Sequence, residues 1–260
     1  MAGHVHAEKS GQIGWIVFDH PERRNAISLD MWREIPDAVE GLAADDEVRV
    51  MIMRGVGDVA FVSGADISEF ESNRSGGATQ SFDVDTGRAF GALVNLDKPL
   101  IAMIHGFCVG GGTAIALTAD MRYASEEALF AIPAARLGVG FHMAALEALI
   151  KLVGFAAAKE IFFTARSFRA DEALRMGLVN DVVPKSDLEG FVCKTAERIG
   201  QNAPLTLRSV KLTARELAKE PAARDTEAIT ASIRNCFESE DYREGVRAFL
   251  EKRRPVFRGR

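Results

Sequence analysis

The stretch from Pro99 to Ala124, PLIAMIHGFCVGGGTAIALTADMRYA, decides the fold class. It opens with an apolar, β-rich run, Pro99 to Ile104. Three consecutive glycines, Gly110, Gly111 and Gly112, then open a helix, and a second β-rich run follows at Met121 to Ala124. Strand, helix, strand is the alternation of an α/β core. The order is already present upstream, where Ile13 to Phe18 and Val48 to Arg54 read as strands around a helical pattern from about Leu29 to Ala43. Leu129 to Ile132 adds another short strand. From Met143 onward the pattern is almost wholly helical, broken by Gly154, by Gly177 to Pro184, and by Pro204 and Pro221. The expected organisation is an α/β core over residues 1–200 and a helical region over 201–260.

Composition fits a water-soluble chain. Of 260 residues, 47% are hydrophobic and 27% charged, and 32 basic against 37 acidic side chains leave a net charge of −5. That balance opposes a broad grip on nucleic acid, which needs a basic face. The most apolar long stretch, Pro99 to Thr118, contains His105 and turns at its glycines, so it reads as a buried strand and helix rather than a membrane span. Cys108, Cys193 and Cys236 have no paired or Cys/His spacing, which indicates neither a disulfide framework nor a metal site. The polar start MAGHVHAEKS lacks a secretory core, so a cytoplasmic location is expected. Ser72 to Ser81, SNRSGGATQS, reads as a mobile surface loop.

Two segments carry the chemical signal. In Phe61-Val62-Ser63-Gly64-Ala65-Asp66-Ile67, a Gly-Ala pair after a short strand leaves the backbone bare, so its N–H groups can approach a ligand. In His105 to Ala114 the glycines open a helix, whose first N–H groups are unpaired and favour negative charge. One N–H from each segment would form a two-donor oxyanion hole. Glycine-rich helix starts also bind phosphates or simply permit close packing. The spacing matches neither a dinucleotide fingerprint nor a phosphate-binding loop.

Several further motifs, taken in order, make the chain resemble the crotonase family, the enoyl-CoA hydratases and isomerases. Pro21 to Ala26 resembles the family's early Asn-Ala element, Gly64 to Ile67 its first oxyanion segment, Gly110 to Gly112 its second, and Ala119 to Ala124 the strand beyond. Ala170 to Val179, Asn202 to Leu205, Ser239 to Gly245 and Ala248 to Arg253 resemble its downstream signatures. The resemblance implies a spiral of repeated ββα units followed by a C-terminal helical trimerisation region, assembled as a homotrimer or a hexamer. It implies an acyl-CoA thioester as small-molecule substrate, with coenzyme A entering as part of that substrate and no permanently bound cofactor or metal. It places the thioester carbonyl on the N–H groups of Ala65 and Gly111. The nucleotide part would lie near Arg23, Arg24 and Ala26 and near Ala65, Asp66 and Ile67, with Lys252 and Phe237 also holding it, from a neighbouring subunit if the chains assemble.

The chain departs from the hydratase pattern where protons move. The two positions that carry the hydratases' catalytic glutamates are Ala114, two residues past the glycine triplet, and Ala134, after Pro133. A methyl group neither accepts nor donates a proton, so the two-glutamate route is closed to this chain. The same alignment of motifs sets His142 where some relatives carry a catalytic Asp, and a histidine titrates near neutral pH. A histidine at a helix start also serves as a cap. Arg136 reads either as a binder of a substrate carboxylate or as an exposed arginine, Asp66 as a fold residue, Glu147 as a surface group, His105 as a satisfied core histidine, and Cys108 as an unactivated thiol. The preferred expectation is a CoA-thioester enzyme that keeps enolate stabilisation with altered proton-transfer groups. A decarboxylase or hydrolase on the same scaffold, or a non-catalytic acyl-CoA-binding oligomer, are the alternatives.

Overall fold

The computed structural model describes residues 2–66 and 78–260. Two sheets organise the chain. The larger has strands β1 (His4–Ser10), β2 (Ile13–Asp19), β3 (Val50–Gly55), β5 (Leu100–Ile104), β7 (Met121–Ser125) and β10 (Asp181–Val183), in that order. The smaller has β4 (Ala60–Val62), β6 (Phe107–Val109), β8 (Leu129–Ala131) and β9 (Phe168–Arg169). Strands β2, β3, β5, β7 and β10 run parallel, as do β4, β6 and β8, while β1 and β9 are antiparallel edges.

The chain order shows the repeat directly. Each pair β3–β4, β5–β6 and β7–β8 gives its first strand to the large sheet and its second to the small one, and a helix comes next. These helices are α2 (Ala78–Val94), α3 (Gly111–Ala116) and α4 (Ala134–Leu137), preceded by α1 (Leu29–Ala44) after the β1–β2 hairpin. This is the spiral of ββα units that the family resemblance implies.

Burial explains why the large sheet is mostly parallel. Side chains alternate across it: Ile16, Phe18, Met51, Met53, Leu100, Ala102 and Ile104 face one core with α1 and α2. Ile13, Trp15, Val17, Val50, Ile52, Ile101 and Met103 face a second core, closed by Leu188, Val192 and Ala196 of α7 (Leu188–Gly200). A sheet apolar on both faces must be covered on both. Helix α1 starts where Ser28 accepts a hydrogen bond from Met31 N, and it buries Met31, Trp32, Ile35, Val39 and Leu42 at helical spacing.

Three local readings of the sequence are corrected. The start MAGHVHAEKS was read only for its polarity, yet His4–Ser10 is a strand; as a sheet edge with mostly exposed side chains it has no apolar period to show. His105 does not lead straight to the glycines, because the strand ends at Ile104 and β6 intervenes in the other sheet. Gly106 makes that switch possible, since a Cβ there would strike the Val59 carbonyl. Ala78 to Ser81, read as loop, belong to α2, whose buried Phe82, Ala89 and Leu93 tie it to the core and override weak local propensity; residues 72–77 lie outside the described residues.

Helix α5 (Met143–Thr164) bends at Gly154, which has φ 77° and ψ 166°. Helices α6 (Ala170–Met176), α7, α8 (Pro204–Leu217), α9 (Thr226–Glu238) and α10 (Glu240–Leu250) complete the chain. No helix among the described residues is long and apolar enough to cross a membrane.

The Asn-Ala element has a structural job. Arg24 and Asn25 both adopt left-handed backbone, with φ of 53° and 55°. The buried Asn25 side chain accepts from His20 N at 2.9 Å and donates to Val56 O at 3.0 Å and Ala60 O at 2.8 Å. It therefore ties the ends of β2 and β3 to the start of β4. Gly55 carries no side chain because a Cβ there would meet the Asn25 carboxamide and two carbonyls. Asn25→Ala strands these partners and worsens the backbone strain, so urea denaturation should show a loss of about 2–4 kcal/mol. Asn25→Gly, which relieves only the strain, should remain destabilised; a loss under about 1 kcal/mol in both variants would contradict the pinning role.

Candidate active site

A cavity of about 470 Å³ lies where the segments after β4 and β6 meet α1, α2, α4 and the start of α5. Gly64, Ala65, Gly110, Gly111, Ala114, Ala134 and His142 all line it. The two glycine segments, 46 positions apart when counted from Ala65 to Gly111, thus share one wall.

Hydrogen bonding sets the direction of the Ala65 N–H. Ile27 pairs with Ala65 as an isolated parallel bridge, in which Ile27 N donates to Gly64 O at 2.8 Å and Asp66 N donates to Ile27 O at 2.9 Å. Such a bridge uses the groups on either side of Ala65, so Ala65's own N–H points away from Ile27. Gly64 reaches this geometry with φ 118°. Across the gap, Gly110 is the cap of α3 with φ 54°, and its N–H donates to Ala131 O at 2.8 Å. Gly111 is the first residue of that helix, where the N–H has no partner within the helix. A Cβ at Gly111 would lie 3.5 Å from Ala65 N and 3.7 Å from Trp32 Cζ2, so the Gly111 backbone sits close to that of Ala65 and to the indole. Gly112 is needed for packing, since a Cβ there would strike the Val62 carbonyl.

The far end of α3 is held as firmly. Buried Arg122 donates to Ala119 O at 2.6 Å, Ala116 O at 3.4 Å and Leu178 O at 2.8 Å. Burial pushes its pKa down, but the carbonyl dipoles at the helix end retain the guanidinium there.

Most of the cavity is apolar, including Trp32, Phe82, Phe90, Leu117, Ile132 and Phe141. Ala114 and Ala134 are buried in its wall. Among the described residues, its only titratable lining groups are Asp83 and His142. His142 Nε2 lies 4.0 Å from Asp83 Oδ1, with the two side chains 65% and 53% exposed. His142 occupies the cap position of α5 but makes no side-chain capping bond, which leaves the imidazole to the cavity.

The sequence missed Asp83 because it follows a segment that reads as loop. The signal was Phe82, Thr86 and Phe90 at spacings of four, which set one helical face with Asp83 at its margin. Trp32 was also missed as a wall residue; its buried Nε1 has no hydrogen-bond partner among the described residues.

Other candidates fall elsewhere. Arg23 and Asp66 pair through two contacts of 2.8 and 2.9 Å and line a separate cavity of about 480 Å³ with His20, Ser28 and Arg33. Arg24 stacks over Phe107 at 4.9 Å, and Ala26 is buried with its carbonyl accepting from His20 Nδ1 at 2.9 Å. Ile67 lies outside the described residues. Phe237 packs on Tyr242 in a groove among the C-terminal helices, and Lys252 follows α10 with φ 54°; neither lines the 470 Å³ cavity. Arg136 is exposed and outside the lining, and Glu147 pairs with Lys151 at 2.6 Å. His105 is buried with its pKa lowered by burial; its ring bonds the Ala60 backbone while Nε2 has no partner among the described residues, so the core histidine expected from sequence is half satisfied. Cys108 is buried, and burial pushes its thiol up to about 12, which excludes it as a nucleophile near neutral pH.

Comparison with known proteins gives a consistent picture. The family model described as enoyl-CoA hydratase/isomerase matches residues 8–260. A short-chain-enoyl-CoA hydratase from Clostridium acetobutylicum is 36% identical over 251 residues, 95% of this chain and 94% of that protein. A carnitinyl-CoA dehydratase from Salmonella enteritidis is 33% identical over the full length of both. Among solved structures, an enoyl-CoA hydratase/carnithine racemase from Magnetospirillum magneticum superimposes with a TM-score of 0.94 at 34% identity, covering 98% of this chain and 96% of that one.

The buried thiol makes a pH prediction. Between pH 9, the ordinary thiol value, and about 12, folded Cys108 keeps a proton that the unfolded chain has released. The folded state then binds more protons, so stability falls as pH rises, by up to about 1.4 kcal/mol per pH unit from this group. Denaturation of wild type and Cys108→Ala from pH 8.5 to 11 should show a shallower decline in the variant; parallel curves would mean that Cys108 ionises as readily folded as unfolded.

Proposed function

The chain belongs to the enoyl-CoA hydratase/isomerase family, and from that premise we propose a CoA-thioester enzyme that keeps enolate stabilisation but moves protons with His142 instead of glutamates. The observation that carries this reading is the cavity itself. It brings the Ala65 and Gly111 backbone to one wall, has methyl groups at Ala114 and Ala134, and offers Asp83 and His142 as its titratable lining groups among the described residues.

In the proposed reaction the thioester carbonyl accepts hydrogen bonds from Ala65 N–H and Gly111 N–H. Attack of water at the β-carbon of an enoyl thioester moves electrons to that oxygen, and the charge of the resulting enolate rests between the two donors. His142 accepts the proton released by the attacking water, and the imidazolium so formed returns a proton to the α-carbon as the enolate collapses to the thioester. Dehydration is the reverse, and double-bond migration uses the same enolate without water. Each donor is worth about 2.7–4 kcal/mol in a comparable site. The apolar surroundings strengthen both by excluding water. Asp83 would support the positive imidazole, although a half-exposed pair at this distance contributes only up to about 1 kcal/mol.

Hydration or dehydration is favoured over isomerisation by the names of the relatives, a hydratase and a dehydratase. A second reading, decarboxylation of a malonyl-type thioester, is favoured by the alanines: loss of carbon dioxide itself generates the enolate and asks less of a protein base. For the nucleotide part we propose Arg23, Arg24, Ala26, Ala65, Asp66 and Ile67, together with Phe237 and Lys252 supplied by a neighbouring subunit. Residues 201–260 would assemble the chain into a trimer or hexamer through the groove that holds Phe237 and exposed Phe249.

Incubation with crotonyl-CoA, dienoyl-CoA and malonyl-CoA in heavy-oxygen water, followed by mass analysis, separates these chemistries. Oxygen incorporation into crotonyl-CoA is the expected result. His142→Ala should lower kcat/KM by at least about 10², and Asp83→Asn by about two- to fivefold. Unchanged hydration by His142→Ala would overturn the role of His142, whereas carbon dioxide release without hydration would favour the second reading.

Gly111→Pro removes one proposed donor. Any turnover should fall by at least about 10² while circular dichroism remains native. Wild-type rates in a folded Gly111→Pro protein would place carbonyl binding elsewhere.

A further inference from the structure

A cavity of about 410 Å³ opens at the N-terminal ends of β3 and β5 and shares no lining residue with the acyl cavity. Its wall carries the side chains of Arg49, Lys98, Arg208, Arg258 and Arg260 against one acidic side chain, Asp46. Arg260 pairs with Glu240 at 3.2 Å. Arg49, Arg208 and Arg258 have no carboxylate partner among the described residues.

Lys98 is the buried floor of this cavity, at 6% exposure. Its Nζ donates to Leu42 O at 2.9 Å and Asp45 O at 2.7 Å, closing the C-terminal end of α1. An ammonium has three donors, so one is left over. Capping α1 accounts for Lys98 but not for its neighbours: burial first, then Arg208 and more weakly Arg49, push its pKa down, against Asp45 and Asp46, which push it up, so the arginines oppose the charged cap. Arg49 is also pre-positioned. Its Nη2 donates to Phe257 O at 3.5 Å, and the side chain lies along Gly200 and Gly259, where an added Cβ would come to 3.4 Å from Arg49 Cβ and Nη1.

Crowded cations around a concave, partly desolvated site concentrate positive potential. Guanidinium forks match phosphate and carboxylate oxygens. We propose that this cavity binds a small multivalent oxyanion, a di- or triphosphate or a polycarboxylate, at a site separate from the acyl cavity. A single small anion would offset one charge; a ligand with several anionic oxygens offsets the cluster and reaches the leftover Lys98 donor together with Arg49. The exposed Arg208 and Arg258 then close on its outer side.

Calorimetric titration of the full chain with inorganic pyrophosphate and with citrate, at ionic strength held constant with sodium chloride, tests the site. Saturable binding of either probe with Kd below about 1 mM is expected. Pyrophosphate alone assigns phosphate chemistry, and citrate alone assigns carboxylate chemistry. Arg208→Gln/Arg258→Gln, at exposed positions, should weaken binding at least tenfold, and a charge-matched Lys159→Gln/Lys194→Gln control should leave it unchanged. No saturable binding by either probe, the same affinity in the arginine variant, or an equal loss in the control would overturn the proposal.

Discussion

The Asn25 carboxamide is the contact on which the donor wall depends. By bonding His20 N, Val56 O and Ala60 O, it fixes the turn that follows β2 against the crossing from β3 to β4. Two residues later, Ile27 uses its own N–H and carbonyl to hold Gly64 and Asp66. That pairing turns the Ala65 N–H away from Ile27. A single side chain in a left-handed turn is therefore linked, through one residue of bridge, to the direction of a backbone donor in another part of the chain. The strain of two consecutive left-handed non-glycine residues, about 1–3 kcal/mol each, is retained because the surrounding hydrogen bonds over-determine it.

Helix α3 is anchored from both ends by different means. At its start, Gly110 pairs with Ala131 and Gly112 packs against Val62, so Gly111 has little freedom to move. At its end, a buried arginine takes up the free carbonyls. Preorganised donors contribute to catalysis only when they need not reorganise as charge develops. The alanines at 114 and 134 add to this by keeping that part of the cavity wall apolar. Asp83 and His142, the titratable lining groups among the described residues, are in contact with solvent.

Much of this was legible in the sequence because it rests on residues with few substitutes. The glycine triplet marked a helix start, the Gly-Ala pair marked an exposed backbone, and alternation of apolar runs marked an α/β core, with the ββα order implied by the family resemblance. What escaped was tertiary in origin. Strand β6 is three residues long and exists because Gly106 lets the chain cross between sheets. Strand β1 is held by pairing with β2 rather than by an apolar face. The pair of Asp83 and His142 joins residues far apart in sequence, and no local period brings them together. His105 shows the limit from the other side: its burial was readable from an apolar context, but its unpartnered Nε2 was not.

The two walls of the 470 Å³ cavity come from different kinds of structure. The donor wall is backbone, fixed by sheet crossings and glycines that tolerate no Cβ. The facing wall from α2 is made of side chains, Phe82, Asp83, Thr86 and Phe90, carried on one helix. Substitution along that helix can reshape the space, polarity and titrating groups offered to a ligand while the N–H groups of Ala65 and Gly111 stay where they are. The chain thus separates what is held constant from what can diversify, and descendants of this sequence could acquire new ligand preferences through a few changes on a single helical face.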